Sequence, residues 1–201
     1  SADIIESFVR HCLSFADEMV VVDHNSIDGT ADILQNLQNE GIPIEIESFS
    51  DVELFHAEIM TELVWYAIRE KHADIILPID ADEFLLASEG FDSCRRILEQ
   101  LSLDEVWQVD MVRYALLMPE QDIDKFLLQR PCKRNWQERV PKIIIGREAF
   151  QEGMHLAQGC HYVMGSKIEL KPLPNLHLAH FLWRNKNQIL TKIICGWVSN
   201  V

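Results

Sequence analysis

The chain has 201 residues, 48% of them hydrophobic, and a net charge of −14 from 18 basic against 32 acidic side chains. That length and apolar content suit one compact domain with a substantial core, while the acidic balance excludes a sequence-independent nucleic-acid surface and a broad electrostatic membrane patch. No apolar run approaches the roughly 20 residues that span a bilayer, no signal-peptide pattern is read, and Cys12, Cys94, Cys132, Cys160 and Cys195 show no paired spacing, so the expectation is a cytoplasmic protein with reduced thiols, with peripheral contact to a membrane left open through a local feature.

In chain order, Asp3 and Glu6 are spaced as a capping box, and Ile5, Phe8, Val9, Cys12 and Leu13 trace a helical stripe behind them. Val20, Val21 and Val22 form a β-branched run that predicts a buried strand ending in Asp23. Asn25, Ser26, Asp28 and Gly29 then supply turn chemistry, with Asp28 or Ser26 as N-cap of a helix carrying Ile33, Leu34 and Leu37. Residues 44–47 alternate as a short strand, and 57–71 read as a helix with Ile59, Leu63, Tyr66 and Ala67 inward. A second apolar strand, from Ile75, delivers Asp80 and Asp82 at its end, followed by Glu83 and Phe84.

On an extended backbone, residues two apart face the same way. Two carboxylates on one side of a strand end can hold a divalent cation, which in turn neutralises a diphosphate. The bland alternative is an acidic turn after a buried strand. In open α/β sheets ligands bind at the carboxyl ends of strands, so Asp23, Asp80 and Asp82 are expected to share one rim.

Helix and strand alternate through residue 86, which predicts a mostly parallel sheet covered by helices. Beyond it, 91–101 reads as a helix and 106–118 as a long apolar strand. Residues 119–139 are polar and weakly periodic and read as a loop or lid facing an acceptor. Residues 187–201 predict an amphipathic helix.

The stretch Val22-Asp23-His24-Asn25-Ser26-Ile27-Asp28-Gly29-Thr30, with Asp80-Ala81-Asp82 downstream, resembles the two ordered blocks of family 2 glycosyltransferases of the GT-A fold. The resemblance implies a Rossmann-like three-layer α/β sandwich with a mostly parallel central sheet. It also implies a strand ahead of the first helix; that strand is expected to be missing, and both ends to be truncated. The chain is then one domain over 1–201, with a nucleotide-sugar half at 1–104 and an acceptor-side half at 105–201.

The resemblance further implies that Asp23 contacts the donor base, that Asp80 lies near ribose and metal, and that Asp82 ligates Mn²⁺ or Mg²⁺. Asn25 and Asp28 complete the donor-side turn. A third ligand in this fold is often a late histidine. His180 is the first choice, in a His-Phe-x-x-Arg stretch, and His161 the alternative; His177 and His180 share a face only on a helix. Lys142 and Arg184 are candidates for diphosphate contacts, where leaving-group charge develops.

The implied reaction is metal-dependent transfer of a hexosyl group from a nucleoside diphosphate donor, UDP-sugar first, to the hydroxyl of a saccharide or lipid-linked acceptor, with inversion. The base that inversion needs is not identified; Asp110, Asp122, Asp124, Glu138 and Glu152 are candidates. The competing class is a non-catalytic nucleotide- or sugar-binding module. Phosphohydrolases of the haloacid-dehalogenase type place their Asp-x-Asp near the N-terminus with a following Thr, and nucleotidyltransferases carry a Gly-rich Lys-containing loop, neither of which is present.

Overall fold

The computed structural model describes residues 1–48, 56–90, 93–117, 127–130, 132–137, 140–185 and 188. The chain runs α1 (Ile5–Cys12), β1 (Met19–Asp23), α2 (Thr30–Asn39), β2 (Ile44–Ser48), α3 (His56–Arg69), β3 (Ile75–Ile76), β4 (Glu83–Ala87) and α4 (Ser93–Leu98). It continues with β5 (Val106–Leu116), β6 (Cys132–Gln137), β7 (Lys142–Gly146), β8 (His155–Leu156), β9 (Val163–Met164) and β10 (Leu170–His180). This is an α/β fold, and the apolar stripes of the first two helices bury as expected, Ile5, Phe8, Val9 and Cys12 on α1 and Leu34 and Leu37 on α2, whereas α3 buries Thr61 and Val64, with Met60, Trp65 and Ile68 packed in the same cluster as Val64, rather than the expected face of Ile59, Leu63, Tyr66 and Ala67.

The main sheet has the order β3-β7-β5-β10-β4, with β6 also laddered on β5. Within it β5 and β10 run parallel, whereas β3–β7, β5–β7, β5–β6 and β4–β10 are antiparallel. A separate parallel ladder joins β1 to β2, and β8 pairs antiparallel with β9. The expectation of a mostly parallel, Rossmann-like sheet is therefore overturned among the described residues. Its basis was helix–strand alternation, which ends at α4. From β5 onward strands follow strands with only short 3-10 turns described between them, and chain returns without a helical crossover ladder antiparallel.

Both faces of this sheet are covered. Trp107, Val109, Ile144 and Leu178 pack with α1 and α2 residues on one side, and Val106, Ile143 and Ile145 pack with Val64, Phe150 and Leu156 on the other. All five residues of β7 are buried. A strand buried on both faces reads as a continuous apolar run, and β7 does so except at Lys142.

Four local expectations change. No side chain caps α1; Ile4 stands at the N-cap, and Asp3 is engaged elsewhere. Gly29, at φ +84°, is the N-cap of α2, while Asp28 accepts the Thr30 N–H at 3.2 Å from one residue further out. The strand before Asp80 is only two residues long, since Pro78 cannot donate to a ladder. Part of the expected loop 119–139 is strand β6, which covers the edge of β5. The predicted helix 187–201 lies outside the described residues apart from Gln188.

Phe84 anchors the junction of α1, β4 and the end of β10. It is fully buried, with Phe8, His11 and Phe181 rings at 5.8, 5.4 and 5.7 Å. Phe84→Ala is expected to remove about 3–5 kcal/mol of stability, read from the urea midpoint. A loss below about 1 kcal/mol would place the core elsewhere.

Candidate functional site

Between β3 and β4 the chain turns, with the Glu83 N–H donating to the Asp80 carbonyl at 3.0 Å. Asp80 and Asp82 thus share a turn rather than an extended strand, yet both line one cavity of about 420 Å³, together with Ala81, His180, Leu182 and Arg184. Strand register explains the gathering: Glu83 pairs with His180 across β4 and β10, so the last residue of β10 arrives beside the motif.

Each carboxylate of the motif meets nitrogen partners. The Lys142 ammonium, from buried β7, donates to Asp80 Oδ2 at 3.0 Å and lies 2.9 Å from Glu83 Oε2. Asp80 Oδ1 faces His56 Nε2 at 3.5 Å, and the Asp80 N–H donates to Glu83 Oε2 at 3.0 Å. Asp82 Oδ1 lies 3.8 Å from His180 Nε2, and its Oδ2 accepts from Arg184 Nη1 at 3.5 Å. Asp82 is also held through its backbone, its carbonyl accepting the Phe181 N–H at 2.8 Å.

Burial shapes the ionisation of this cluster. Glu83 is 2% exposed, and burial outweighs the nearby Lys142 charge, pushing the Glu83 carboxyl up to about 8. Burial works against the Lys142 ammonium as well, but Glu83 and Asp80 outweigh it and carry that group up to about 12. Asp80 goes the other way: burial raises it, and His56 and Lys142 together bring it below the ordinary carboxylate range. One ammonium offsets one carboxylate, so Glu83 keeps its proton to higher pH while Asp80 stays ionised.

A divalent cation would have two donors here, Asp82 Oδ1 and His180 Nε2, from residues that both line the cavity. A carboxylate with an imidazole suits a first-row ion, and hard cations of this kind keep several waters or phosphate oxygens as further ligands. Among the described residues no group of three or more His, Cys, Asp or Glu side chains surrounds a common metal position. The fit is therefore to a cation sharing its shell with a ligand, with Asp80 committed to Lys142 and His56.

Other predicted residues are dispersed. Asp23 is buried at the end of β1, where Oδ2 accepts the Ser26 N–H at 3.1 Å, and it does not line the cavity. Asn25 adopts φ +51° in the same turn. Asp28 accepts the Ala2 N–H at 3.1 Å, which brings that turn beside the chain start. His161 places Nδ1 2.8 Å from the Pro141 carbonyl, away from the cavity wall. His177 lies on β10, so it and His180 occupy opposite faces of a strand. Lys142 is 1% exposed and does not line the cavity, so its ammonium serves the carboxylates rather than a wall open to phosphate. Of the candidate bases, Asp110 and Glu152 are exposed and off the cavity wall; Asp122, Asp124 and Glu138 lie outside the described residues.

Sequence reasoning missed His56, Asp3 and the pairing of Lys142 with Glu83. The only signal for the last was a lone lysine opening an apolar run, 142–146. No family model matches the chain, and no curated protein matches it.

The raised Glu83 carboxyl predicts a pH effect. A folded state that holds a proton more tightly than the unfolded chain has its full stability below the ordinary carboxyl value and loses it as pH climbs. The unsubstituted chain should therefore lose stability relative to Glu83→Gln between pH 5 and about 8, beyond the acid range where Asp80 acts in the opposite sense. Urea midpoints for both chains across that range check it; parallel curves would contradict it.

Proposed function

We propose that the chain is the donor-binding domain of a metal-dependent glycosyltransferase of the GT-A type, moving a hexosyl group from a UDP-sugar to an acceptor hydroxyl with inversion. The observation that supports the reading is the Asp82–His180 pair on the wall of one cavity, beside Asp80 in an Asp-x-Asp turn. Asp82 and His180 would hold Mn²⁺ or Mg²⁺, which when bound supplies Lewis acidity to the leaving diphosphate.

The chain's own groups do the rest. Asp80, ionised and fixed by Lys142, presents a half-exposed carboxylate to the ribose side of the donor, with the Asp23, Asn25 and Asp28 turn on the base side. Arg184, buried, orients Asp82. The acceptor hydroxyl attacks the anomeric carbon as its bond to the diphosphate breaks, and an acidic side chain takes the hydroxyl proton. The acceptor is a saccharide or a lipid-linked saccharide. No helix among the described residues is long and apolar enough to cross a membrane.

A second reading, a nucleotide- or sugar-binding module without chemistry, is favoured by one observation: neither described candidate base, Asp110 nor Glu152, lines the cavity.

Calorimetric titration of UDP with and without Mn²⁺, on the chain and on Asp82→Ala, tests the reading. Binding that requires Mn²⁺ and weakens at least tenfold in Asp82→Ala is expected, with UDP released from UDP-sugar on addition of acceptor. Absence of UDP binding under both conditions would overturn it. Metal-dependent binding without sugar release would favour the second reading.

A further inference from the structure

Arg184 carries a guanidinium whose side chain is 3% exposed, and two carboxylates share it. Asp3 takes it in a fork, with Nε to Oδ2 at 2.8 Å and Nη2 to Oδ1 at 3.3 Å. The remaining nitrogen, Nη1, donates to the Phe181 carbonyl at 3.0 Å and reaches Asp82 Oδ2 at 3.5 Å. Asn185 Nδ2 adds a contact to Asp3 Oδ2 at 3.3 Å. The guanidinium is thus anchored on Asp3, and only its far nitrogen is left for Asp82.

We propose that Asp3 is a positioning residue for the cation site: acting through Arg184, it sets the orientation of Asp82 and how much of the guanidinium charge falls on it. The inference rests on the metal-dependent reading above. Bidentate Arg–carboxylate pairs are short, directional and strong, so the Asp3 fork fixes the plane of the guanidinium. With Asp3 in place, the cationic charge is largely answered on the far side and Oδ1 of Asp82 remains directed toward His180. Without it, an unanswered buried cation turns its whole charge on Asp82 and competes with a divalent ion for the same carboxylate. Outer groups of this kind alter metal affinity by about 10–100-fold. The sequence position of Asp3, ahead of a helix, suggests a cap, but α1 has no side-chain cap.

The test is Mn²⁺ titration at saturating UDP, with thermal unfolding measured alongside, on the chain, Asp3→Asn and the double variant Asp3→Asn/Arg184→Gln. Asp3→Asn is expected to raise the Mn²⁺ Kd about tenfold or more. Removing the Arg184 charge as well is expected to recover much of that loss, which a merely structural tether would not do, since a second broken tether would deepen the defect. If Asp3→Asn unfolds, Asp3→Ser is read on the same scale, and loss of the fold in both assigns Asp3 to stability alone and overturns the proposal. A folded Asp3→Asn whose Kd stays within about twofold, or a double variant worse than the single, also overturns it while leaving the glycosyltransferase reading intact. Failure of the unsubstituted chain to bind Mn²⁺ with UDP overturns both.

Discussion

Asp80, Asp82 and Glu83 put three carboxylates into four consecutive residues at the mouth of a buried sheet, and much of the surrounding structure compensates that charge. Carboxylates withdrawn from water need partners, and none of the nitrogen groups that supply them lies near in sequence. Lys142 comes from β7, His56 from the start of α3, and Arg184 from the segment after β10. Each partner fixes a long-range approach, so the acidic turn ties together strands that are not neighbours in the sheet. Burying ion pairs is weak evidence for stability, because desolvation offsets the attraction. The arrangement is better understood as specifying position: Lys142 sits at the one charged place in an otherwise apolar strand, and only one register of β7 brings it to Asp80 and Glu83.

The same accounting separates what the sequence displays from what it conceals. Apolar periodicity reports burial, and burial is local, so α1, α2, β1, β2, α3 and β5 were legible to within a few residues from Ile5, Val21, Leu34 or Val106. The Asp-x-Asp turn was legible as a cluster of like charges. Sheet direction was not, because alternation of helix and strand holds only to α4, and the later strands give no periodic sign of their neighbours' direction. Nor were the counter-ions. Asp3 satisfies every local rule for a helix cap, yet a buried guanidinium 181 residues away in sequence is the stronger partner. His56 looks like an ordinary helix-start histidine until the fold sets it 3.5 Å from Asp80. Ion pairs across such separations leave no periodicity to read.

The pairing pattern also divides the two aspartates by role. Asp80 has its charge answered by a buried ammonium at 3.0 Å, a fixed, single-purpose contact. Asp82 stands 3.5 Å from Arg184 and 3.8 Å from His180. A carboxylate already engaged by a close ammonium has less charge to offer a metal ion. On the proposed reading Asp82, beside His180 on the cavity wall, is the cation ligand, and Asp80 a fixed acceptor for hydroxyl or amide donors. Sequence spacing alone treats the two residues as equivalent; only the cations behind them distinguish them.

Net charge adds a last constraint. A chain at −14 offers no long-range attraction to a nucleoside diphosphate, and beyond about 8 Å at physiological ionic strength solvent ions screen what remains. Behind the cavity wall, Lys142 is turned toward Asp80 and Glu83, and on the wall Arg184 is divided between Asp3 and Asp82, so each of these two cations is committed to the protein's own carboxylates. An anionic diphosphate in this cavity would face the carboxylates of Asp80 and Asp82, which line it. On the reading proposed here, the charge that draws it in comes with the divalent ion, and Asp82 and His180 serve recognition as much as chemistry. An enzyme with free arginines or lysines on its cavity wall could bind the same diphosphate before a metal arrived; on the proposed reading the ion and the nucleotide instead stabilise each other's binding, a coupling that is reciprocal by thermodynamic necessity.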